Sequence, residues 1–276
     1  MKAILHAAAG TRVAARAVLL VSPAAVWQAL RSGPLAAGHL LGLTWRAHLV
    51  TGTRMALPVV DVWDVVPIMD GRAEMPMASA GGKPFAGMVL SLAEILALAL
   101  LARNTRAQCI LEIGTAMGGT TRLLALNAPD AIVHTLDLPS DEAGTVLPGT
   151  DEEFRRKTAT GADLETARER IVQHFGDSAT FDFRSIGSEF GLAFIDGSHS
   201  YEYVRSDTER VLPLMAEGGV IVWHDFGGGV SLGYGVTEYL RRIQPVLNVR
   251  LIRGTSFGVA RIEGKAKLMQ RLSART

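Results

Sequence analysis

The main part of the sequence alternates short apolar runs with longer segments of helical periodicity. Four of the apolar runs have the length of strands: 109–113, 131–136, 192–195 and 219–223. Helices are predicted around them, over about 87–103, 120–126, 165–175 and 201–215. Because strands that alternate with helices form parallel sheets with helices on both faces, this pattern predicts an α/β domain with a doubly wound, mostly parallel sheet.

The two ends of the chain depart from this alternation. Near the C-terminus, residues 249–252 and 257–262 flank Arg253-Gly254-Thr255, which predicts an antiparallel hairpin at one edge of the sheet. Residues 179–183 (ATFDF) read as a further strand. Residues 12–50 read as helical, and 55–86, with four prolines, read as an irregular connector. The predicted organisation is an N-terminal helical cap and connector over 1–86 and a Rossmann-like domain over 87–276.

Composition and charge exclude several classes of protein. A hydrophobic content of 48% with 20% charged residues is typical of a folded globular chain. The net charge of +1 gives no reason to expect a nucleic-acid partner. The single cysteine, Cys109, excludes a framework of disulfides within the chain. Because disulfides are rare in reducing compartments, we expect a cytoplasmic location.

The first 60 residues differ from this average, since they contain six Lys or Arg and no Asp or Glu. No apolar run there reaches the roughly 18 residues that a membrane span needs. We interpret the segment as a helical cap on the main domain. The alternatives are a transit peptide and peripheral membrane contact through residues 1–50.

A glycine-rich turn follows the first predicted strand, in LEIGTAMGGTT (111–121). Glycines let a ligand approach the backbone closely, and the start of the next helix offers free N–H groups. Gly114, Gly118 and Gly119 do not have the G-x-G-x-x-G spacing of a dinucleotide site. Asp137 ends the next strand, where an acidic residue would hold a ribose hydroxyl pair. The two features together favour nucleoside binding over a plain tight turn.

Three predicted strands end at carboxylates, namely Asp137, Asp196 and Asp225. If the strands before Asp196 and Asp225 are neighbours, these two carboxylates converge and need a proton, a basic side chain or a divalent cation between them. Oxygen ligands favour Mg²⁺, Ca²⁺ or Mn²⁺, and the alternative for Asp225 is a loop cap. His199 lies three residues after Asp196 and suits proton abstraction near neutral pH.

A further polar pair, Asp177-Ser178, stands in a predicted turn. A plain Asx turn explains it as well as a binding role does.

Five segments together carry a family resemblance: LEIGTAMGGTT, TLDLP, FGDSATFDF, FIDGSHSYEYVRSDTE and GGVIVWHD. They resemble the class I S-adenosylmethionine-dependent methyltransferases. The resemblance is closer to the branch that includes metal-dependent macrolide-sugar O-methyltransferases and cephalosporin-hydroxylase-like proteins. It spans about residues 87–262.

The resemblance implies a cofactor, a metal and a base. It implies S-adenosylmethionine as the cofactor, with these contact positions: Glu112, Gly114, Thr115, Ala116, Gly118, Asp137, Asp177, Ser178 and Asp196. It also implies Mg²⁺ or Mn²⁺ at Asp196 and Asp225, and His199 as general base beside Asp196. The third candidate metal ligand is His224, which stands where the family has another acidic ligand. Adjacent strand residues point to opposite faces, which counts against its side chain reaching the metal. Ala116 replaces a glycine of the family motif, which a negative φ would tolerate.

These implications predict O-methylation of a hydroxyl on a small molecule such as a sugar or secondary metabolite. Two other readings stay open, an NAD-dependent Rossmann-like oxidoreductase and a non-catalytic protein that binds a nucleoside cofactor. Residues 227–235 would form a lip over the acceptor, and 139–170 would cover the cofactor. The sequence also leaves open a homo-oligomer.

Overall fold

The computed structural model describes residues 57–74, 90–116, 118–138, 169–187, 189–227 and 234–273. The predicted helical cap, most of the predicted cofactor cover and most of the glycine-rich lip lie outside these residues. No helix in the described ranges is long and apolar enough to cross a membrane.

Eight strands form one sheet in the described part of the chain. They are β1 (Val59–Val60), β2 (Cys109–Ile113), β3 (Ile132–Asp137), β4 (Ile171–Phe175), β5 (Phe190–Ile195), β6 (Met215–Trp223), β7 (Arg250–Ile252) and β8 (Gly258–Arg261). Their order across the sheet is β1-β7-β8-β6-β5-β2-β3-β4. Strand β8 runs antiparallel to β6 and β7, and every other neighbouring pair is parallel. The predicted Rossmann-like, mostly parallel sheet with an antiparallel hairpin is confirmed.

Helices cover this sheet on both faces. They are α1 (Val62–Val65), α2 (Leu92–Asn104), α3 (Gly119–Asn127), α4 (Tyr201–Val211), α5 (Tyr234–Leu247) and α6 (Lys265–Ser273), with 3-10 turns at Phe183–Ser185 and Leu212–Leu214. One core contains Leu111 and Ile195 of the sheet with residues of α4, α5 and α6, and the other contains Ile110 and Phe194 with residues of α2 and α3. Because both faces are buried, β2 and β5 are apolar at nearly every position.

Three local predictions were wrong. Residues 171–175, predicted as helix, form β4, since pairing with β3 over five positions outweighs the helical periodicity of this segment. Residues 179–183, predicted as a strand, form a turn because the Asp177 side chain and carbonyl accept hydrogen bonds from the amides of Ala179, Thr180 and Phe181. The hairpin does not end the sheet, because β1, from the segment predicted to be irregular, pairs with β7 beyond it.

A buried carboxyl, Glu112 in β2, interrupts the apolar interior. It is fully buried, and it accepts hydrogen bonds from the hydroxyls of Thr121 on α3 and Thr135 on β3. The Thr135 hydroxyl donates its only proton to Glu112. The Thr115 hydroxyl oxygen is 2.6 Å from the Thr135 hydroxyl oxygen, so Thr115 is the donor in this second bond. Among the described residues, Oε1 of Glu112 has no hydrogen-bond partner. Burial raises the pKa of Glu112 to about 8, although the two threonine hydroxyls lower it.

We expect Glu112→Gln to make folding stability less dependent on pH. The folded pKa of about 8 lies above the ordinary value of 4.5, so the stability linked to this group is complete below about pH 4.5 and is lost as the pH rises through 8. In wild type we expect this group to lower the free energy of unfolding by about 2–4 kcal/mol as the pH rises from 5 to 8. Urea denaturation at both pH values measures the difference.

Glu202→Gln is the matched control, because Glu202 is exposed on α4. The free energy of unfolding of this variant should depend on pH as it does in wild type. Equal pH dependence in wild type and Glu112→Gln would contradict a protonated Glu112.

Candidate functional site

A cavity of about 430 Å³ opens at the carboxyl ends of β2, β3, β4 and β5. Six of the predicted cofactor residues line it: Gly114, Ala116, Asp137, Asp177, Ser178 and Asp196. Its volume is in the range of pockets that hold small organic ligands. The position agrees with the rule that open α/β sheets bind ligands beyond the carboxyl ends of their strands.

The turn after β2 is held in a left-handed conformation. Gly114 has a φ of +100°, and a Cβ there would lie 2.2 Å from the carbonyl oxygen of Asp196. Only glycine therefore lets the turn pack against the loop after β5. Gly118, also left-handed with a φ of 71°, precedes the first residue of α3.

The negative φ that would let Ala116 replace the family's glycine without strain is absent, since the φ of Ala116 is +44°. This conformation costs a non-glycine residue about 1 kcal/mol. The amide of Ala116 donates to Oδ2 of Asp137 at 2.8 Å, and this bond holds the turn in place.

Asp137, the last residue of β3, presents its carboxylate at the cavity wall. Its Oδ1 accepts from the Leu138 amide at 2.9 Å, and its Oδ2 accepts from the Ala116 amide. Burial raises the pKa of Asp137, and these two amide bonds lower it. A carboxylate has about four acceptor sites, so two remain for a pair of ligand hydroxyls.

Asp177 and Ser178 follow β4 at the far side of the cavity. The Asx turn considered from the sequence is present, with the Ala179 amide donating to Asp177 Oδ1 at 2.9 Å. The other oxygen of Asp177 accepts from the hydroxyl of Tyr203 at 3.2 Å. Tyr203, on α4, also lines the cavity and was not predicted as a site residue. Its sequence signal was weak, because an aromatic residue at the start of a helix usually packs in a core.

Three other predicted cofactor residues, Glu112, Thr115 and Gly118, do not line the cavity. Glu112 is fully buried and Thr115 is 2% exposed, and both belong to the threonine network described above. Gly118 is the N-cap residue of α3.

A second group of polar side chains lies at the ends of β5 and β6. These strands are neighbours, with Ile195 paired to Trp223, so Asp196 and Asp225 converge as the sequence predicted. Nε2 of His199 is 2.8 Å from Oδ2 of Asp225 and 3.9 Å from Oδ1 of Asp196. The hydrogen bond to Asp225 is the main reason that the pKa of His199 is raised.

The loop that carries His199 is fixed by close packing. A Cβ on Gly235, at the start of α5, would lie 2.4 Å from the His199 carbonyl oxygen. Asp225 itself has a φ of +60°, an uncommon conformation for a residue other than glycine. Side-chain atoms of Asp196, His199 and Asp225 that can bind a metal lie within 4.8 Å of one another.

His224, the third candidate metal ligand, contacts both of these carboxylates. Its Nδ1 is 3.0 Å from Asp196 Oδ1 and 3.1 Å from Asp225 Oδ2, and its Nε2 faces Glu94 Oε1 at 3.7 Å. Burial disfavours the charged ring, but the three carboxylates outweigh it and raise the pKa of His224 to about 12.

Residues 111–226 match the family model described as a methyltransferase domain. No curated protein sequence matches the chain. One similar solved structure is the O-methyltransferase TomG of Streptomyces achromogenes, involved in tomaymycin synthesis, in complex with SAM. It is 22% identical, with 64% of this chain and 82% of that chain covered and a TM-score of 0.45. Another is an O-methyltransferase from Bacillus cereus in complex with SAH, which is 20% identical, with 64% and 84% covered and a TM-score of 0.44.

The matched residues run from β2 to the residue after Asp225, so they include the cavity and the polar cluster beside it. The part of the chain that carries the cavity and the polar cluster is therefore similar to methyltransferase domains.

Proposed function

We propose that the protein transfers a methyl group from S-adenosylmethionine to a hydroxyl of a small molecule, with His199 accepting the hydroxyl proton. The observation that carries the proposal is the 2.8 Å contact between His199 and Asp225, beside a cavity whose wall includes Asp196. The family match favours this function over the nicotinamide-dependent alternative considered from the sequence. Turnover, tested below, separates it from a protein that only binds the cofactor.

The residues of the cavity fit the proposed cofactor. Asp137 would accept hydrogen bonds from the two ribose hydroxyls, and Asp177 and Ser178 would border the adenine. The turn at Gly114 would face the methionine part, next to Asp196. When bound, S-adenosylmethionine supplies a methyl group already activated by its sulfonium. The protein then has to align the hydroxyl and remove its proton.

His199 and Asp225 form a pair suited to this proton transfer. Asp225 accepts from Nε2–H of His199, which leaves Nδ1 with a lone pair. Among the described residues, no hydrogen bond to Nδ1 of His199 is present, and the side chain is 36% exposed. An orienting carboxylate of this kind fixes the tautomer of the base and stabilises the imidazolium that forms.

A divalent cation is a second candidate component, because Asp196, His199 and Asp225 offer ligand atoms within 4.8 Å of one another. Two oxygens and one imidazole nitrogen suit Mn²⁺ as well as Mg²⁺. Such an ion would lower the pKa of the acceptor hydroxyl and orient it. If His199 binds the ion through Nε2, its contact with Asp225 is lost.

We expect Asp137→Asn to weaken the binding of S-adenosylmethionine by about 10- to 100-fold, since hydrogen bonds to a charged group contribute roughly 1.5–3 kcal/mol. Calorimetric titration of the purified protein measures this affinity. Glu202→Gln, an exposed charge change outside the cavity lining, should bind as wild type does. Unchanged affinity in Asp137→Asn would contradict the ribose contact, and no binding by wild type would overturn the proposed function.

We expect His199→Gln to lower turnover by roughly 10²- to 10⁴-fold, the usual contribution of a general base. The affinity for S-adenosylmethionine should stay within about twofold, because His199 does not line the cavity. The assay follows formation of S-adenosylhomocysteine with a panel of sugar nucleotides and phenols. A variant with wild-type turnover would exclude His199 as the base.

We expect turnover to persist in EDTA, because the His199–Asp225 pair can remove the proton without an ion. Wild-type protein dialysed against EDTA is compared with the same protein supplied with MnCl₂ or MgCl₂. Loss of turnover in EDTA and its return with one of these ions would show instead that a metal is required.

A further inference from the structure

Glu94 is a buried carboxylate on the side of His224 away from the cavity. It lies in the first turn of α2 and is 6% exposed. Burial disfavours its charge, but the nearby His224 ring and hydrogen bonds from Ser256 and Ser91 outweigh this and lower the pKa of Glu94. Buried carboxylates of this kind are uncommon unless a cation accompanies them.

Helix capping accounts for only one of its two oxygens. Oε2 accepts from the Ser91 amide at 2.8 Å, which is the standard reciprocal bond of a capping box. Oε1 accepts from the amide and the hydroxyl of Ser256, at 2.8 and 2.6 Å, in the segment between β7 and β8. These three bonds fix the carboxylate, and Oε1 is the oxygen that faces His224.

The His224 ring is held between Glu94 on one side and two carboxylates on the other. Nε2 is 3.7 Å from Glu94 Oε1, whereas Nδ1 contacts Asp196 and Asp225 at 3.0 and 3.1 Å. The ring also packs against Phe257, with centroids 5.5 Å apart. A rotation of the ring by 180° would remove Nδ1 from both aspartates.

The same oxygen of Asp225 contacts both histidines. Oδ2 is 3.1 Å from His224 Nδ1 and 2.8 Å from His199 Nε2. The position of His224 therefore influences the position of the carboxylate that orients the base. Glu94 is connected to the base through two side chains and does not itself line the cavity.

We infer that Glu94 is a positioning residue for methyl transfer: it holds His224 in the orientation that bridges Asp196 and Asp225, and so keeps Asp225 in contact with His199. This inference rests on the proposed function. It also gives the Ser256 segment a role, because that segment fixes the Glu94 oxygen that faces the ring.

The test compares Glu94→Gln with Ser91→Ala. Each variant removes part of the same capping box, but only Glu94→Gln removes the charge opposite His224. Both should lose a comparable amount of thermal stability and bind S-adenosylmethionine within about twofold of wild type. Turnover should fall about 10- to 100-fold in Glu94→Gln, a range taken from residues that orient the ligands of metal sites, and stay within about threefold in Ser91→Ala. Equal turnover in the two variants would overturn the inference.

A second measurement does not need turnover. In protein labelled with ¹⁵N-histidine, Glu94→Gln should shift the ring signals of both His224 and His199, and Ser91→Ala should leave both unchanged. Unshifted signals in Glu94→Gln would overturn the inference. A shift in a protein that makes no S-adenosylhomocysteine would support the positioning of the two rings while overturning the proposed function, so the two failures are distinguishable.

Discussion

The polar cluster depends on a single constraint, which is that two parallel neighbouring strands are each followed within two residues by an aspartate. Pairing of Ile195 with Trp223 brings Asp196 and Asp225 together in a largely buried place, where two unscreened negative charges would repel. His224 resolves this repulsion by contacting both carboxylates through one ring nitrogen. With the pair held in this way, Asp225 is able to contact His199 as well.

The cavity follows from a different constraint, the close approach of two loops. Gly114 has no room for a Cβ against the Asp196 carbonyl, so the turn after β2 and the loop after β5 form one continuous wall. Asp137, which lines the cavity, closes the turn by accepting from the amide of Ala116 and keeps acceptor sites for a ligand. Asp196 borders both the cavity and the polar cluster, which is why we place cofactor and base next to each other.

Most of the fold could be predicted because its strands are buried on both faces. Runs such as CILEI and FGLAFI leave few alternatives to a central parallel strand. The edges were harder, since an edge strand carries a weaker apolar signal. β4 was predicted as helix and β1 as irregular connector, and in both cases the pairing with a neighbouring strand decided the structure. The turn at Asp177 formed where a strand was predicted, because local hydrogen bonds competed with strand formation.

The sequence by itself determined the chemistry that is placed at strand ends. A carboxylate after an apolar strand of a parallel sheet lies at the binding edge, so Asp137, Asp196, Asp225 and nearby His199 could be named from order along the chain alone. Only the tertiary structure decided which groups touch. Glu94 and Ser256 are 162 residues apart and carry no functional signal, yet their hydrogen bond fixes the oxygen that faces His224. Distances between side chains depend on packing between elements distant in sequence, and no local pattern encodes them.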